Sequence, residues 1–170
     1  PPKPSYRPLL PLDIRDRPRA AILPQLVAAP TTAGSGSETS RFFIAADPST
    51  GIKISTRSWS IVPDLTLLDP LLLQGSGAPR LLLGAFDAAM HLWETHIARG
   101  ERSPFTDALA QGFLPRILAA LPVLGSGAEP GGATLLALME ASAMAGVAIS
   151  NVRTGIVHSL GESLAAQSPL

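Results

Sequence analysis

The chain has 170 residues, 46% of them hydrophobic and 15% charged, enough apolar material for a buried core and not the composition of a disordered chain. Thirteen Lys and Arg balance thirteen Asp and Glu, so there is no basic footprint for nucleic acid or for an anionic membrane. The absence of cysteine removes disulfides, thiolate clusters and cysteine nucleophiles and fits a reducing, cytoplasmic compartment.

Residues 1–20 are rich in proline and arginine and show no sustained period, so they read as an irregular segment. The opening Pro1-Pro2-Lys3-Pro4 leads into no apolar run, and no signal peptide is expected. Ala21–Ala29 is a short apolar run closed by Pro30, consistent with a buried strand. A turn of small residues follows, Thr31–Thr39. Arg41–Ala46 and Ile52–Thr56 flank Asp47-Pro48-Ser49-Thr50-Gly51 and predict a hairpin; Pro63–Leu68 supplies one more short strand. After Gly75-Ser76-Gly77 the character changes. Ala78–Arg99, Phe105–Leu121, Ala133–Val152 and Thr154–Gln167 are Ala/Leu-rich and of helical length, separated by Gly/Pro/Ser breaks. The fold class is therefore α/β followed by all-α, divided into residues 1–76 and 77–170. Ala133–Ile149 is the most apolar stretch, but Glu140, Ser142 and Gly146 interrupt it, so it reads as a buried helix and no membrane span is expected.

Several residues could carry chemistry. A Gly34-x-Gly36 turn after a strand lets a backbone approach a phosphate closely, yet it lacks the third glycine of the dinucleotide fingerprint and the Gly-Lys-Ser/Thr of a P-loop. A plain loop is the simpler reading of that pattern alone. Asp87 and His91 stand four residues apart in a predicted helix and share a face, with Glu94 near it. Such a carboxylate and imidazole can share a divalent cation while a second carboxylate orients the imidazole; taken alone, the spacing reads more simply as an ordinary surface pair. His158, beside Val157 and Leu160, reads by itself as a packed core residue sooner than as a ligand. His96 is turned about 140° from His91 and does not join the same face. No Gly-x-Ser-x-Gly elbow is present.

The motifs together resemble one family. Pro30-Thr31-Thr32-Ala33-Gly34-Ser35-Gly36-Ser37-Glu38 resembles the Pro-Thr-Thr-Ala-Gly-Thr-Gly-Ser-Glu signature of the iron-containing (group III) alcohol dehydrogenases. Asp69-Pro70 and Asp87-Ala88-Ala89-Met90-His91-Leu92-Trp93-Glu94 resemble that family's Asp-Pro and Asp-Ala-Leu-x-His-x-x-Glu patterns. Ala145-Gly146-Val147-Ala148 with Asn151, and Gly155-Ile156-Val157-His158, resemble its later helices, in order from about residue 22 to 168.

The resemblance implies the end of an α/β domain that binds NAD or NADP, followed by the first part of a helical domain holding a divalent metal, Fe(II) ahead of Zn(II). It implies Asp87, His91 and His158 as metal ligands, and Thr31, Thr32, Ser40, Phe42 and Lys53 as cofactor contacts. The activity it implies is reversible hydride transfer between NAD(P)H and a small aldehyde or alcohol, in a homodimer. The family's Gly-Gly-Gly-Ser pyrophosphate loop and its fourth metal ligand, a histidine in a His-Gly pair, fall outside these residues. An internal fragment, inactive by itself, is therefore expected. Where relatives carry a second histidine four residues after the third ligand, this chain has Glu162, which is expected to serve in the active site as a further metal ligand or proton relay. Ala148–Thr154 has some likeness to phosphonoacetaldehyde reductases. A glycerol dehydrogenase-like relative and a non-catalytic or truncated homologue are the alternatives.

Overall fold

The computed structural model describes residues 25–46 and 53–167. In chain order the strands are β1 (Val27–Ala28), β2 (Phe42–Ala46), β3 (Lys53–Arg57) and β4 (Leu65–Thr66). The helices are α1 (Ala78–Ile97), α2 (Pro104–Gly125), α3 (Gly132–Asn151) and α4 (Ile156–Gln167). β1 and β4 form a parallel pair, and β2 and β3 an antiparallel one in which Phe42 faces Arg57 and Ile44 faces Ser55. Residues directly opposite in such a ladder project to the same side, so these four side chains share a face.

Short strands followed by long helices match the expected class, and the hairpin and all four helices fall close to their predicted places. The turn 47–51 lies outside the described residues, as does the start of the predicted strand Ala21–Ala29. Of that strand only Val27–Ala28 is paired, and Leu26 and Val27 are exposed rather than buried. Among the described residues β1 pairs only with β4, and a two-stranded ribbon covers neither face. Two 3-10 turns escaped the sequence reading, Trp59–Ile61 and Pro70–Leu73. In the second, the Leu71 amide donates to Asp69 Oδ1 at 2.9 Å and Leu73 is fully buried, anchoring the crossing into the helical part.

Helices α1, α2 and α3 pack against one another around one core. In α1 the buried apolar residues are Ala78, Leu81, Ala85, Ala88, Ala89 and Leu92, a stripe at helical spacing. Ser103 starts α2 with a reciprocal capping box to Thr106. That helix runs through Pro122 to Gly125, four residues beyond its predicted end. Pro122 costs one backbone hydrogen bond, and the burial of Leu124 on the far side outweighs it. By length and composition α2 and α3 could each cross a membrane, but 56% of the most apolar window of α3 is buried inside the protein, as in a central core helix. Alanine, serine and glycine along α3 let its neighbours approach closely, and they do so at Gly146 and Ser142.

The turn after β1 is wedged between α1 and α3. A Cβ on Gly84 of α1 would lie 2.0 Å from the Ala33 carbonyl oxygen, and one on Gly146 of α3 would lie 2.1 Å from that of Gly36. Gly36 also has φ +62°, a conformation other residues rarely adopt. The Gly34 and Gly36 amides donate to Ser142 Oγ at 2.8 and 3.3 Å, and that hydroxyl donates to Glu38 Oε1 at 3.3 Å. Thr39 Oγ1 donates to the Ala143 carbonyl at 2.6 Å, and the Arg41 amide to Ser150 Oγ at 3.1 Å. The hairpin is thereby tied to α3.

Candidate metal centre

Asp87, His91 and Glu94 descend one stripe of α1, and His158 enters from the first turn of α4. The sequence reading left open whether His158 meets the α1 pair. In the structure it does: one nitrogen or oxygen from each of Asp87, His91 and His158 lies within 4.8 Å of the others. Asp87 Oδ1 is 3.4 Å from His158 Nε2 and 3.9 Å from His91 Nε2, and the two imidazoles stack with centroids 4.3 Å apart and 10° between planes. Tetrahedral coordination at about 2.1 Å places ligand atoms about 3.4 Å apart. The His158 pair already stands at that spacing, and the His91 pair is slightly wider. One carboxylate and two imidazoles suit a divalent ion of intermediate softness. The donors present fit the group that the resemblance implies.

Glu94 completes the centre in a way the sequence did not show. It is buried, and its Oε2 holds His158 Nδ1 at 2.5 Å, while its Oε1 accepts the Val157 amide at 2.7 Å. A carboxylate on α1 thus caps the N-terminus of α4, where the helix dipole favours negative charge. Gly155 makes room for it, since a Cβ there would lie 2.8 Å from Glu94 Oε1. With Nδ1 engaged, His158 keeps Nε2 directed toward Asp87. The helical spacing placed Glu94 near the ligand face, but its partner is the distant His158.

Burial works to raise the Asp87 carboxyl, yet the bond to His158 and the charges of both imidazoles hold it below the ordinary value. For Glu94, burial is likewise outweighed by the bonds from His158 and from the backbone at Gly155 and Val157. The bond to Asp87, reinforced by Glu94, lifts His158 against its own burial. His91 is lowered by burial, with Asp87 opposing. Protonation is thus favoured at His158, which lies between two carboxylates, and disfavoured at His91 beside it. His91 Nδ1 is buried without a hydrogen-bond partner among the described residues; the Gly34 backbone is nearby and favours its protonation but falls outside hydrogen-bonding geometry. His96 stays out of the centre, as expected, bonded to Asp107 at 3.0 Å.

Above the triad lies a cleft of about 400 Å³. Ser35, Ser40, Phe42 and Ile44 line it from the turn and hairpin, and Asp87, His91, Ile149 and His158 from the helices. Ser40 and Phe42, expected to touch a cofactor, are in this wall; the Ser40 hydroxyl accepts the Phe42 amide at 3.0 Å. Thr32 lines an adjoining cleft with Gly34, Arg80 and Asp87. Thr31 is exposed at the head of the turn. The side chains of Lys53 and Glu162 lie outside the described residues; the Glu162 backbone belongs to α4, one turn beyond His158.

Comparisons with known proteins point the same way. The family profile for iron-containing alcohol dehydrogenase matches residues 7–70. Over 145 residues the chain is 33% identical to 1,3-propanediol dehydrogenase of Citrobacter freundii, covering 84% of this chain and 36% of that protein. Over 136 residues it is 35% identical to the probable alcohol dehydrogenase EutG of Escherichia coli (strain K12), covering 79% and 34%. A crystal structure of a 1,3-propanediol oxidoreductase superposes with a TM-score of 0.78 at 30% identity, over 86% of this chain and 38% of that one. The iron-containing alcohol dehydrogenase of Thermotoga maritima gives 0.74 at 29% identity, over 84% and 38%. The chain spans about a third of the length of the curated relatives it matches. Ordered motifs, a shared fold and identity along most of its length make this chain a member of the iron-containing alcohol dehydrogenase family.

Proposed function

We propose that the protein is a metal-dependent, NAD(P)-linked alcohol dehydrogenase or aldehyde reductase acting on a small alcohol or aldehyde. The observation that carries this reading is the convergence of Asp87, His91 and His158 beneath the hairpin cleft. These three residues would hold a divalent ion, Fe(II) in the first instance and Zn(II) in the second. Bound there, the ion supplies Lewis acidity toward the substrate oxygen and the nicotinamide supplies the hydride. Glu94 fixes the His158 ring and keeps Nε2 turned to the cleft. Phe42, Ile44 and Ile149 give the cleft apolar walls that exclude water from the reacting centre. Thr31, Thr32, Ser40, Phe42 and Lys53 are the cofactor contacts in this reading, supported by Ser40 and Phe42 in the triad's cleft and Thr32 beside it. Glu162 is proposed as a proton-handling group from its place one turn beyond His158.

In the same reading residues 1–76 form the cofactor side and 77–170 the metal side. The homodimer rests on the family resemblance, and the cytoplasmic setting is supported by the cysteine-free composition. Metal analysis of the purified full-length protein, with NADH- and NADPH-dependent turnover of two- to four-carbon aldehydes, tests the proposal. Asp87→Asn should lose both metal and turnover. Undiminished turnover in Asp87→Asn, or in protein stripped by a chelator, would overturn it.

A further inference from the structure

The two imidazoles of the triad are supported unequally. His158 gives Nδ1 to Glu94 at 2.5 Å and so presents Nε2 to Asp87. His91 also turns Nε2 toward Asp87, at 3.9 Å, which leaves Nδ1 on the far side of its ring. That nitrogen is buried and has no hydrogen-bond partner among the described residues. A neutral ring that keeps Nε2 free for an ion carries its proton on Nδ1, and a buried N–H without an acceptor costs free energy. Histidines that bind metals ordinarily give the second ring N–H to a carboxylate or a backbone carbonyl, which fixes the tautomer and the angle of the ring. His158 has such a partner and His91 lacks one. The pair that His91 makes with Asp87 is also the wider of the two, so the ring that still has to settle is the one with a donor to place.

The backbone group that bears on this ring is Gly34, which favours a proton there. Gly34 is not free to drift. Its own amide donates to Ser142 Oγ at 2.8 Å, and the Gly36 amide donates to the same oxygen at 3.3 Å. The Gly34 carbonyl therefore belongs to the stretch of backbone between two anchored amides. On the other side a Cβ on Gly34 would lie 2.7 Å from Gly84 Cα, so the turn is pressed against α1. His91 follows Gly84 by seven residues in that helix, two turns on along the same face. Ser142 is fully buried and donates to Glu38 Oε1 at 3.3 Å. One hydroxyl on α3 thus fixes a carbonyl that stands beside a ligand on α1.

We propose that the Gly34 carbonyl is the acceptor that orients His91 in the metal-loaded protein, and that Ser142, which fixes this carbonyl, is a positioning residue of the metal centre. The assignment rests on the metal-centre reading above. It gives the glycine turn a second task besides joining the strands to the helices: it does for His91 what Glu94 does for His158.

The test uses the full-length protein with Zn(II) as the probe. Histidine nitrogens are isotopically labelled so that ring protons are read by NMR, and affinity is read by competition with a chelator. In wild type, His91 should bind Zn(II) through Nε2 and hold a slowly exchanging proton on Nδ1. Ser142→Ala should speed the exchange of that proton at least about tenfold and weaken Zn(II) about tenfold, the lower end for losing a supporting partner. The His158 Nδ1 proton, held by Glu94, should exchange as before. Ser142→Thr keeps the hydroxyl and should restore both the exchange rate and the affinity. Where Ser142→Ala does not fold, Ser142→Cys, of nearly the same shape and a weak hydrogen-bonding group, takes its place with the same expected directions. Faster exchange at both histidines alike would make Ser142 a residue of the fold only and overturn its positioning role. A His91 Nδ1 in Zn(II)-loaded wild type that carries no proton, or one exchanging as fast as in a ring open to solvent, would overturn the proposal and leave the metal reading standing. Failure of wild type to bind either Zn(II) or Fe(II) would sink the metal reading, and the proposal with it.

Discussion

Two polar clusters flank the turn after β1, one around Ser142 on α3 and one around Asp87 on α1, and they are built on opposite terms. Around Ser142, the hydroxyl accepts two amides and donates to Glu38, which uses all three of its hydrogen-bonding positions. Gly84 and Gly146 leave no room even for a methyl group. Around Asp87, three ligand-type atoms face each other across 3.4 and 3.9 Å, and His91 Nδ1 has no partner among the described residues. Buried polar groups are normally satisfied. A saturated cluster does architectural work, while a cluster left short of partners, with a cleft above it, is where a ligand belongs. Gly84 precedes Asp87 by one turn, so the saturated joint sets where the hairpin roof stands over the unsaturated centre.

The comparison breaks first at Asp87. Asp87→Asn keeps the size and removes the one formal negative charge among the three donors. Metal content should fall below about a tenth of wild type, and hydride transfer by about 10³-fold or more, the scale of several kcal/mol of transition-state stabilisation. With both proteins stripped of metal, the melting temperature should differ by no more than ~2 °C, because the joint is untouched. Elemental analysis, turnover and a circular dichroism melt check the three parts.

Gly146→Ala should do the reverse. Its Cβ would lie 2.1 Å from the Gly36 carbonyl oxygen and 2.3 Å from Thr39 Oγ1, with backbone on one side and a tied side chain on the other. Overpacking a rigid joint costs about 3 kcal/mol, which lowers the melting temperature by roughly 6–12 °C in a chain of this size. A variant that melts with wild type would show that the joint yields, and the contrast with the triad would lose its force.

Glu94 lies between the two kinds of behaviour, since it is saturated yet serves the centre. Glu94→Gln preserves shape but removes the charge that holds the His158 ring and caps α4. Metal affinity, read by competition with a chelator, should fall 10- to 100-fold, the usual effect of losing such a supporting partner. An unchanged affinity would reduce Glu94 to a helix cap.

How much of this was legible in the sequence follows from the range of each interaction. The i,i+4 spacing of Asp87 and His91 and the placement of Glu94 on their face are local, and the structure keeps them. The convergence of His158 is not local; the bare residues favoured the core over a ligand, and the family resemblance supplied the expectation. Ser142 gave no signal at all, because its meaning lies in amides more than 100 residues away. The glycine turn looked like a phosphate loop or a plain loop, whereas Gly36 is required by a close approach to α3. For the same reason the described part of the predicted buried strand, residues 25–29, is largely exposed: what covers a strand is decided by its neighbours and not by its own apolar run.

The smallest effect sharpens the comparison through pH. Among the joint's residues named above, Glu38 alone titrates. Burial pushes its carboxyl above the ordinary value of 4.5, with its own backbone and the Ser142 hydroxyl pulling partly back. In the unfolded chain the proton leaves near the ordinary value. Between that value and the raised one, the folded state still holds a proton that the unfolded state has released. Stability contributed by this group is therefore complete below about pH 4.5 and is lost as pH rises through the folded value. Glu38→Gln keeps an oxygen to accept from Ser142 and cannot ionise. Its melting temperature should match wild type at pH 4 and exceed it increasingly as pH rises. The gap should level off once the wild-type carboxyl is ionised, and it should stay within roughly the 2–4 °C that 1 kcal/mol gives in a chain this long. A gap that shrinks with pH, or a variant less stable at neutral pH, would mean the joint prefers the charged carboxylate. Glu38 would then belong with Asp87 and Glu94 as a charge the fold is built to hold.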